Sequence, residues 1–402
     1  MARTRRTVVG TRSTRGVVGP LRTGVAVVIA GIGTLVAFLL AAIMLGAYFP
    51  KIPKAGVIGP VLGGQYPIHI AAIGVLGAIL GTVALRLRYR GWGVVIIVVT
   101  ALSTVAALVI ATIQLREADR FGVDVKMGEV FGELAYPDTV PDRTETYSVA
   151  GGEKLDADLY LPRGGSGGPA PAVILAHAGG FHTFDKSDLR GTGRWLADHG
   201  VATLAVDYRL ASPERATWDQ APRDLATALS WARKNASRLG IDRDRISLGG
   251  MSAGGTVALN TAYRLQGRTV RAADGSIPQA PVSVIGFYPG VDVREMWSDD
   301  VAGTREAAEM YTGGRPDQVP DRYRTVSPVS DVRAGLPRTL LVTGDRDRSV
   351  QPRSITAFGD ALENVGVETE VHVLPFAEHA FDDAYGSITS QTSRRILLDF
   401  LD

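Results

Sequence analysis

Ser252, Asp347 and His379, with the backbone of Gly179, Gly180 and Ala253, have the types and chain order needed to transfer an acyl group through a serine. Ser252 stands in Gly250-Met251-Ser252-Ala253-Gly254, after the apolar run Ile246 to Leu248 and before a helix-like run, Thr256 to Leu265. A serine flanked by small residues at a sharp strand-to-helix turn has its hydroxyl pushed out above the sheet edge, as a nucleophile requires. With 47 glycines among 402 residues, chance supplies roughly a few tenths of such a match. The weight of the motif therefore rests on its partners.

Acyl transfer by serine needs a base, a group that orients the base, and donors for the oxyanion. His379, in Phe376-Ala377-Glu378-His379-Ala380-Phe381, alone among six histidines follows the last strand-like run. His69 sits in an apolar span, His199 ends a helical run, and His372 lies inside the last strand. For the orienting acid, Thr343-Gly344-Asp345-Arg346-Asp347-Arg348-Ser349-Val350 offers Asp345 and Asp347. The carboxylate must reach one imidazole nitrogen and stabilise the imidazolium; the spacing from Gly344 to Val350 favours Asp347 and leaves Asp345 as a turn former. The loop His177-Ala178-Gly179-Gly180-Phe181 brings the N–H groups of Gly179 and Gly180, and Ala253 supplies another. His177 is expected to brace this loop; His182 is open between a substrate contact and plain exposure.

The chain that must position these residues divides by charge. No Asp or Glu occurs before Glu117, while 12 of the 43 basic residues do; from Glu117 onward 31 basic residues face 41 acidic ones. A nucleic-acid partner is not expected, because the basic cluster sits beside apolar spans. The absence of cysteine excludes disulfides, thiolate metal sites and a cysteine nucleophile.

Three uncharged apolar stretches, about 23–48, 66–85 and 92–115, have the length to cross a bilayer as helices. Six arginines precede the first, and Arg86, Arg88 and Arg90 fill the second loop; the first loop has Lys51 and Lys54. Lys and Arg mark cytoplasmic loops. The expected topology places the basic tail, residues 1–22, in the cytoplasm and everything after Leu115 outside it, in a multi-pass plasma-membrane protein. Gly77 and Gly81 form a small-xxx-small pair suited to close helix packing, with ordinary glycine usage the alternative.

Residues 117–142 read as a juxtamembrane linker with one short helix near Met127 to Leu134. Then strand-like and helical runs alternate, starting with Thr144 to Val149 and Leu155 to Leu161 around Gly151-Gly152. Apolar strands alternating with amphipathic helices indicate a parallel sheet covered on both faces. An antiparallel hairpin ahead of it narrows the class to an α/β-hydrolase fold over 143–402. That fold is a mostly parallel eight-stranded sheet with a small lid, about 293–323, here preceded by three transmembrane helices. Trp297, Met310 and Tyr311 of the lid either line an acyl pocket or pack on the domain; Gly313-Gly314 would be its hinge.

Several motifs in register make residues 143–402 resemble the hormone-sensitive-lipase-like and feruloyl-esterase-like (BD-FAE type) carboxylesterases. They are His177 to Phe181, Asp207-Tyr208-Arg209-Leu210-Ala211, Gly240 to Ile246 leading to Gly250-Met251-Ser252-Ala253-Gly254-Gly255, Ser327-Pro328, and the Asp347 and His379 segments. The resemblance implies cofactor-free, metal-free ester hydrolysis through an acyl-enzyme on Ser252. His379 would shuttle the proton, and Tyr208, Arg209 and Asp224 would support the site from below. Ala178 replaces the first loop glycine, Met251 stands where many lipase-type relatives have an acid, and Ser212 interrupts the run to Pro213 and Glu214. The expected substrate is an ester, of a lipid, glycolipid or other acylated envelope component. A transacylase using the same residues and a catalytically silent membrane scaffold are the alternatives. Oligomeric state is not legible in the sequence.

Overall fold

The computed structural model describes residues 15–87, 89–163 and 168–402. Arg3, Arg5, Arg6 and Arg12 of the basic tail, and Arg88 of the second loop, lie outside the described residues. The chain divides into two compact units, 1–111 and 112–402.

In the first unit, three helices are long and apolar enough to cross a membrane: Thr23–Tyr48, Pro67–Leu87 and Arg90–Arg120, the last continuing into the second unit. Large apolar side chains stand outward, Phe38 at 68% and Leu102 at 66% exposure. Such surface on a monomer in water would be costly, which is consistent with membrane anchoring. Gly77 and Gly81 face the third helix, where a Cβ would come within 2.7 Å of Thr100 Cγ2 and 2.9 Å of Ile97 Cγ1. Their small size is what allows these helices to approach.

The second unit is built on one eight-stranded sheet: β1 Arg143–Ala150, β2 Glu153–Tyr160, β3 Ala170–Ala176, β4 Ala202–Val206, β5 Ile241–Met251, β6 Ser283–Phe287, β7 Arg338–Gly344 and β8 Thr369–Leu374. The spatial order is β1-β2-β4-β3-β5-β6-β7-β8. β1 pairs with β2 and β2 with β4 antiparallel; every other pairing is parallel. This is the architecture expected from the alternating pattern.

The central strands read as unbroken apolar runs because both of their faces are buried. On β3, Ala172, Ile174 and Ala176 join one core and Val173 and Leu175 the other, the period-two alternation of a strand. Helices Gln220–Lys234, Ala253–Gln266 and Pro352–Asn364 cover the first face through Leu225, Leu229, Val257, Tyr263 and Phe358. Helices Arg190–Asp198 and Ile388–Leu401 cover the second through Leu196, Ile396, Leu397 and Phe400.

One expectation needs correction, and an alternative left open is resolved. The stretch expected as a linker is built into the catalytic unit. Lys126 N–H donates to Gln391 Oε1 at 2.8 Å, Gly386 N–H to Glu133 O at 2.7 Å, and Arg394 pairs with Glu129 at 3.3 Å. Lys126 and Glu129 meet the last helix and Glu133 the turn before it, so the segment is packed instead of free. The lid region forms three helices, Val293–Asp299, Thr304–Thr312 and Pro320–Val326. Tyr311 is fully buried and stacks on Phe181 at 4.0 Å. The lid thus packs on the core, and Gly313 serves as the C-terminal cap of its middle helix at φ 80°.

Candidate active site

Where β5 ends, the chain turns abruptly into the helix Ala253–Gln266, and Ser252 occupies the corner with φ 51° and ψ −118°. A serine held at positive φ is strained, and the strain persists only because the surroundings over-determine it. Here the Ser252 N–H donates to Phe287 O at 2.8 Å. The helix start also lies against the end of β3. A Cβ at position 254 would fall 2.3 Å from Ala176 O and 2.4 Å from His177 O, so only glycine fits.

Three loops from separate strand ends converge on that corner. Ser252 Oγ lies 2.8 Å from His379 Nε2, and His379 Nδ1 lies 2.8 Å from Asp347 Oδ2. The other oxygen of Asp347 accepts the N–H groups of Ser349 and Val350, each at 2.9 Å. Hydrogen bonds to both of its oxygens hold this carboxylate in one orientation. Asp345 points elsewhere, with its nearest cation the Arg346 guanidinium at 3.8 Å.

Burial by itself would push the His379 imidazole down. The Asp347 carboxylate, Glu378 and Asp382 together outweigh that, and the imidazole is raised above its ordinary value. Glu378 is 4% exposed and ties two loops together. It accepts from the Arg348 N–H at 2.8 Å, from the Arg348 guanidinium at 2.9 Å and from the His379 N–H at 3.1 Å. This clamp between the acid loop and the base loop was not singled out in the sequence. Its one signal there was an acidic side chain next to the histidine, beside an arginine next to the aspartate.

Gly179, Gly180 and Ala253 line the cavity into which Ser252 opens, a space of about 590 Å³. Gly179 has φ 113°, and a Cβ there would meet Thr183 O at 2.0 Å. Among the described residues, no protein acceptor takes the Gly179 or Gly180 N–H. Ala253 is the first residue of its helix, so its N–H has no intrahelical partner. Met296, Ala302 and Ala307 form the lid side of the cavity, whereas Trp297, Met310 and Tyr311 do not line it. Trp297 instead donates to Glu309 at 2.7 Å.

The supporting residues separate cleanly from the cavity. His177 is 1% exposed, holds Ala178 O at 2.7 Å and stacks on Tyr208 at 4.5 Å. Its burial lowers its proton affinity, which suits a brace. His182 lines the cavity, with Nδ1 2.8 Å from Gly180 O. Arg209 grips the buried Asp224 with contacts at 2.6 and 2.9 Å. Among the described residues, no group of three or more His, Asp or Glu is placed to hold a metal ion.

A sequence model of the BD-FAE family matches residues 157–362, just over half of the chain. The match takes in Gly179, Gly180, Ser252, Ala253 and Asp347 and ends before His379. The chain is 28% identical over 239 residues to the esterase LipC of Mycobacterium tuberculosis, covering 57% of this chain and 58% of that one. It is 29% identical over 168 residues to the non-reducing polyketide synthase Preu6 of Preussia isomera, covering 40% of this chain and 7% of the synthase. It thus spans just over half the length of one curated relative and a small part of the other. Among solved structures, it resembles Thermogutta terrifontis esterase 2 phosphonylated by sarin, with TM-score 0.56 and 24% identity. That likeness covers 67% of this chain and 97% of the esterase, and it shows the α/β-hydrolase fold.

Proposed function

The chain belongs to the BD-FAE family, and on that premise we propose that it is a membrane-anchored serine carboxylesterase. The observation that carries this reading is the unbroken relay from Ser252 Oγ through His379 to Asp347, at 2.8 Å in each link. Ser252 Oγ attacks the ester carbonyl carbon while its proton passes to His379 Nε2, and Asp347 stabilises the imidazolium. The carbonyl π electrons move to oxygen, where the N–H groups of Gly179, Gly180 and Ala253 receive the charge. Each such donor is worth about 2.7–4 kcal/mol. Collapse expels the alcohol, which takes the proton from His379. Water then repeats the sequence on the acyl-serine and releases the acid.

Three apolar helices precede the catalytic unit, which supports anchoring in a bilayer. The flanking arginines support a cytoplasmic N-terminus and a catalytic unit beyond the membrane. Proximity to lipid favours an acylated lipid, glycolipid or other envelope ester as substrate. Alkaline phosphatase fused after Glu117 should be active; a fusion active only with a cytoplasmic reporter overturns the topology.

The full chain in detergent should take a fluorophosphonate label at Ser252 and hydrolyse short p-nitrophenyl esters. Ser252→Ala should abolish both. A wild-type chain that takes no label and turns over no ester sinks the assignment. Products formed with and without an added alcohol distinguish hydrolysis from acyl transfer.

A further inference from the structure

The segment ahead of the sheet reaches the active site itself. Ala135 and Tyr136 line the cavity that holds Ser252 and His379. The Tyr136 hydroxyl lies 3.1 Å from Asp382 Oδ2 and 3.1 Å from Asp383 Oδ1, three and four residues beyond His379. Asp382 is 3% exposed, and its other oxygen accepts the Tyr288 hydroxyl. The Tyr288 ring in turn packs against the His379 imidazole, with centroids 4.5 Å apart. A chain of contacts therefore runs from Tyr136 through Asp382 and Tyr288 to the imidazole.

We propose that Tyr136 is a positioning residue of the active site, holding Asp382 and Tyr288 against His379 so that the imidazolium forms readily. The proposal rests on the serine-hydrolase reading of the site. Tyr136 is itself held in place. Arg190 Nε donates to Pro137 O at 3.1 Å and its guanidinium lies over the Tyr136 ring at 5.8 Å, while Tyr385 packs beside that ring at 6.1 Å. Lys126, Glu129 and Glu133 pin the preceding stretch to the last helix and the turn before it.

Charge near His379 decides how tightly the imidazole holds its proton. The groups facing the imidazole are Ser252, Asp347, Glu378, Asp382 and the Tyr288 ring. Those facing Asp382 are Tyr288, Tyr136, Asp383, His379 and the buried Arg394 guanidinium, and Asp188 lies near Asp383. Burial pushes the Asp382 carboxyl up, and the Tyr288 and Tyr136 hydroxyls counter it by donating to the ionised form. An ionised Asp382 is a further negative charge beside the imidazolium, behind those of Asp347 and Glu378. Removing the Tyr136 hydroxyl weakens that charge, so the proton on His379 is held less tightly.

The test is a titration of His379 in the full chain, by histidine-labelled magnetic resonance across the six histidines, alongside the rate of fluorophosphonate labelling. Tyr136→Phe should lower the His379 midpoint by about half a unit and slow labelling about fivefold, the worth of one hydrogen bond. Asp382→Asn should lower the midpoint at least as far. A midpoint unchanged in Tyr136→Phe overturns the proposal, whatever Asp382→Asn does and even if thermal stability falls, because a merely structural role would leave the titration alone. If the wild-type chain takes no label, the nucleophile reading fails while the titration still decides this one.

Discussion

At the scale of single residues, the imidazole of His379 is governed by its neighbours. Burial favours its neutral form, and Asp347, Glu378 and Asp382 favour its protonated form more strongly. A general base must be neutral to accept a proton. Activity should therefore rise with pH through a midpoint above about 6.5, the ordinary histidine value, and be lost below it. In Asp347→Asn the midpoint should move down and kcat should fall by about 10⁴-fold, since the imidazole loses its orienting carboxylate. A pH–rate profile of both proteins checks this; a midpoint unmoved by the substitution would contradict the assignment of Asp347. Choosing Asp347 over Asp345 was possible from spacing alone, because the turn from Gly344 to Val350 is local. Glu378 could not be read the same way. Its partners Arg348 and His379 belong to different loops, and only the folded chain sets them side by side.

At the scale of elements, the corner between β5 and the helix Ala253–Gln266 is where strain and close packing meet. Gly254→Ala would drive a Cβ to within 2.3 Å of Ala176 O, which the backbone of β3 cannot yield without displacing the loop from His177 to Phe181 that follows it. The expected cost is about 1–3 kcal/mol of stability, together with loss of Ser252 labelling. Thermal melts and labelling measured on the same sample test both parts; a variant with wild-type labelling would show that the corner tolerates the change. The strands and their order of apolar runs were readable because a twice-buried strand leaves a continuous signature. The lid was readable only as an insertion. Its aromatic Tyr311 turns inward onto Phe181, and nothing in the spacing of Trp297, Met310 and Tyr311 distinguishes a ring facing a cavity from one facing a core.

At the scale of the whole molecule, the boundary of the catalytic unit lies earlier in the chain than the first strand. A chain starting at residue 143 lacks Lys126, Glu129, Glu133 and Tyr136, all hydrogen-bonded to the segment from Asp382 to Arg394. Several buried polar groups would lose partners at about 1–3 kcal/mol each. A chain starting at 117 should therefore melt well above one starting at 143, by calorimetry; equal melting temperatures would mean that the segment is not part of the folding unit.

The amino-acid sequence alone determined what is local: the three apolar stretches, the alternation of strand and helix, the small residues around Ser252, and the chain order of Ser252, Asp347 and His379. Tertiary structure decided that Glu378 clamps two loops and that Tyr136 reaches the cavity from before the sheet. The reason is physical. Periodicity and turn chemistry act over a few residues, whereas these contacts join positions 30 to more than 240 residues apart, and their meeting depends on every crossover of the sheet between them.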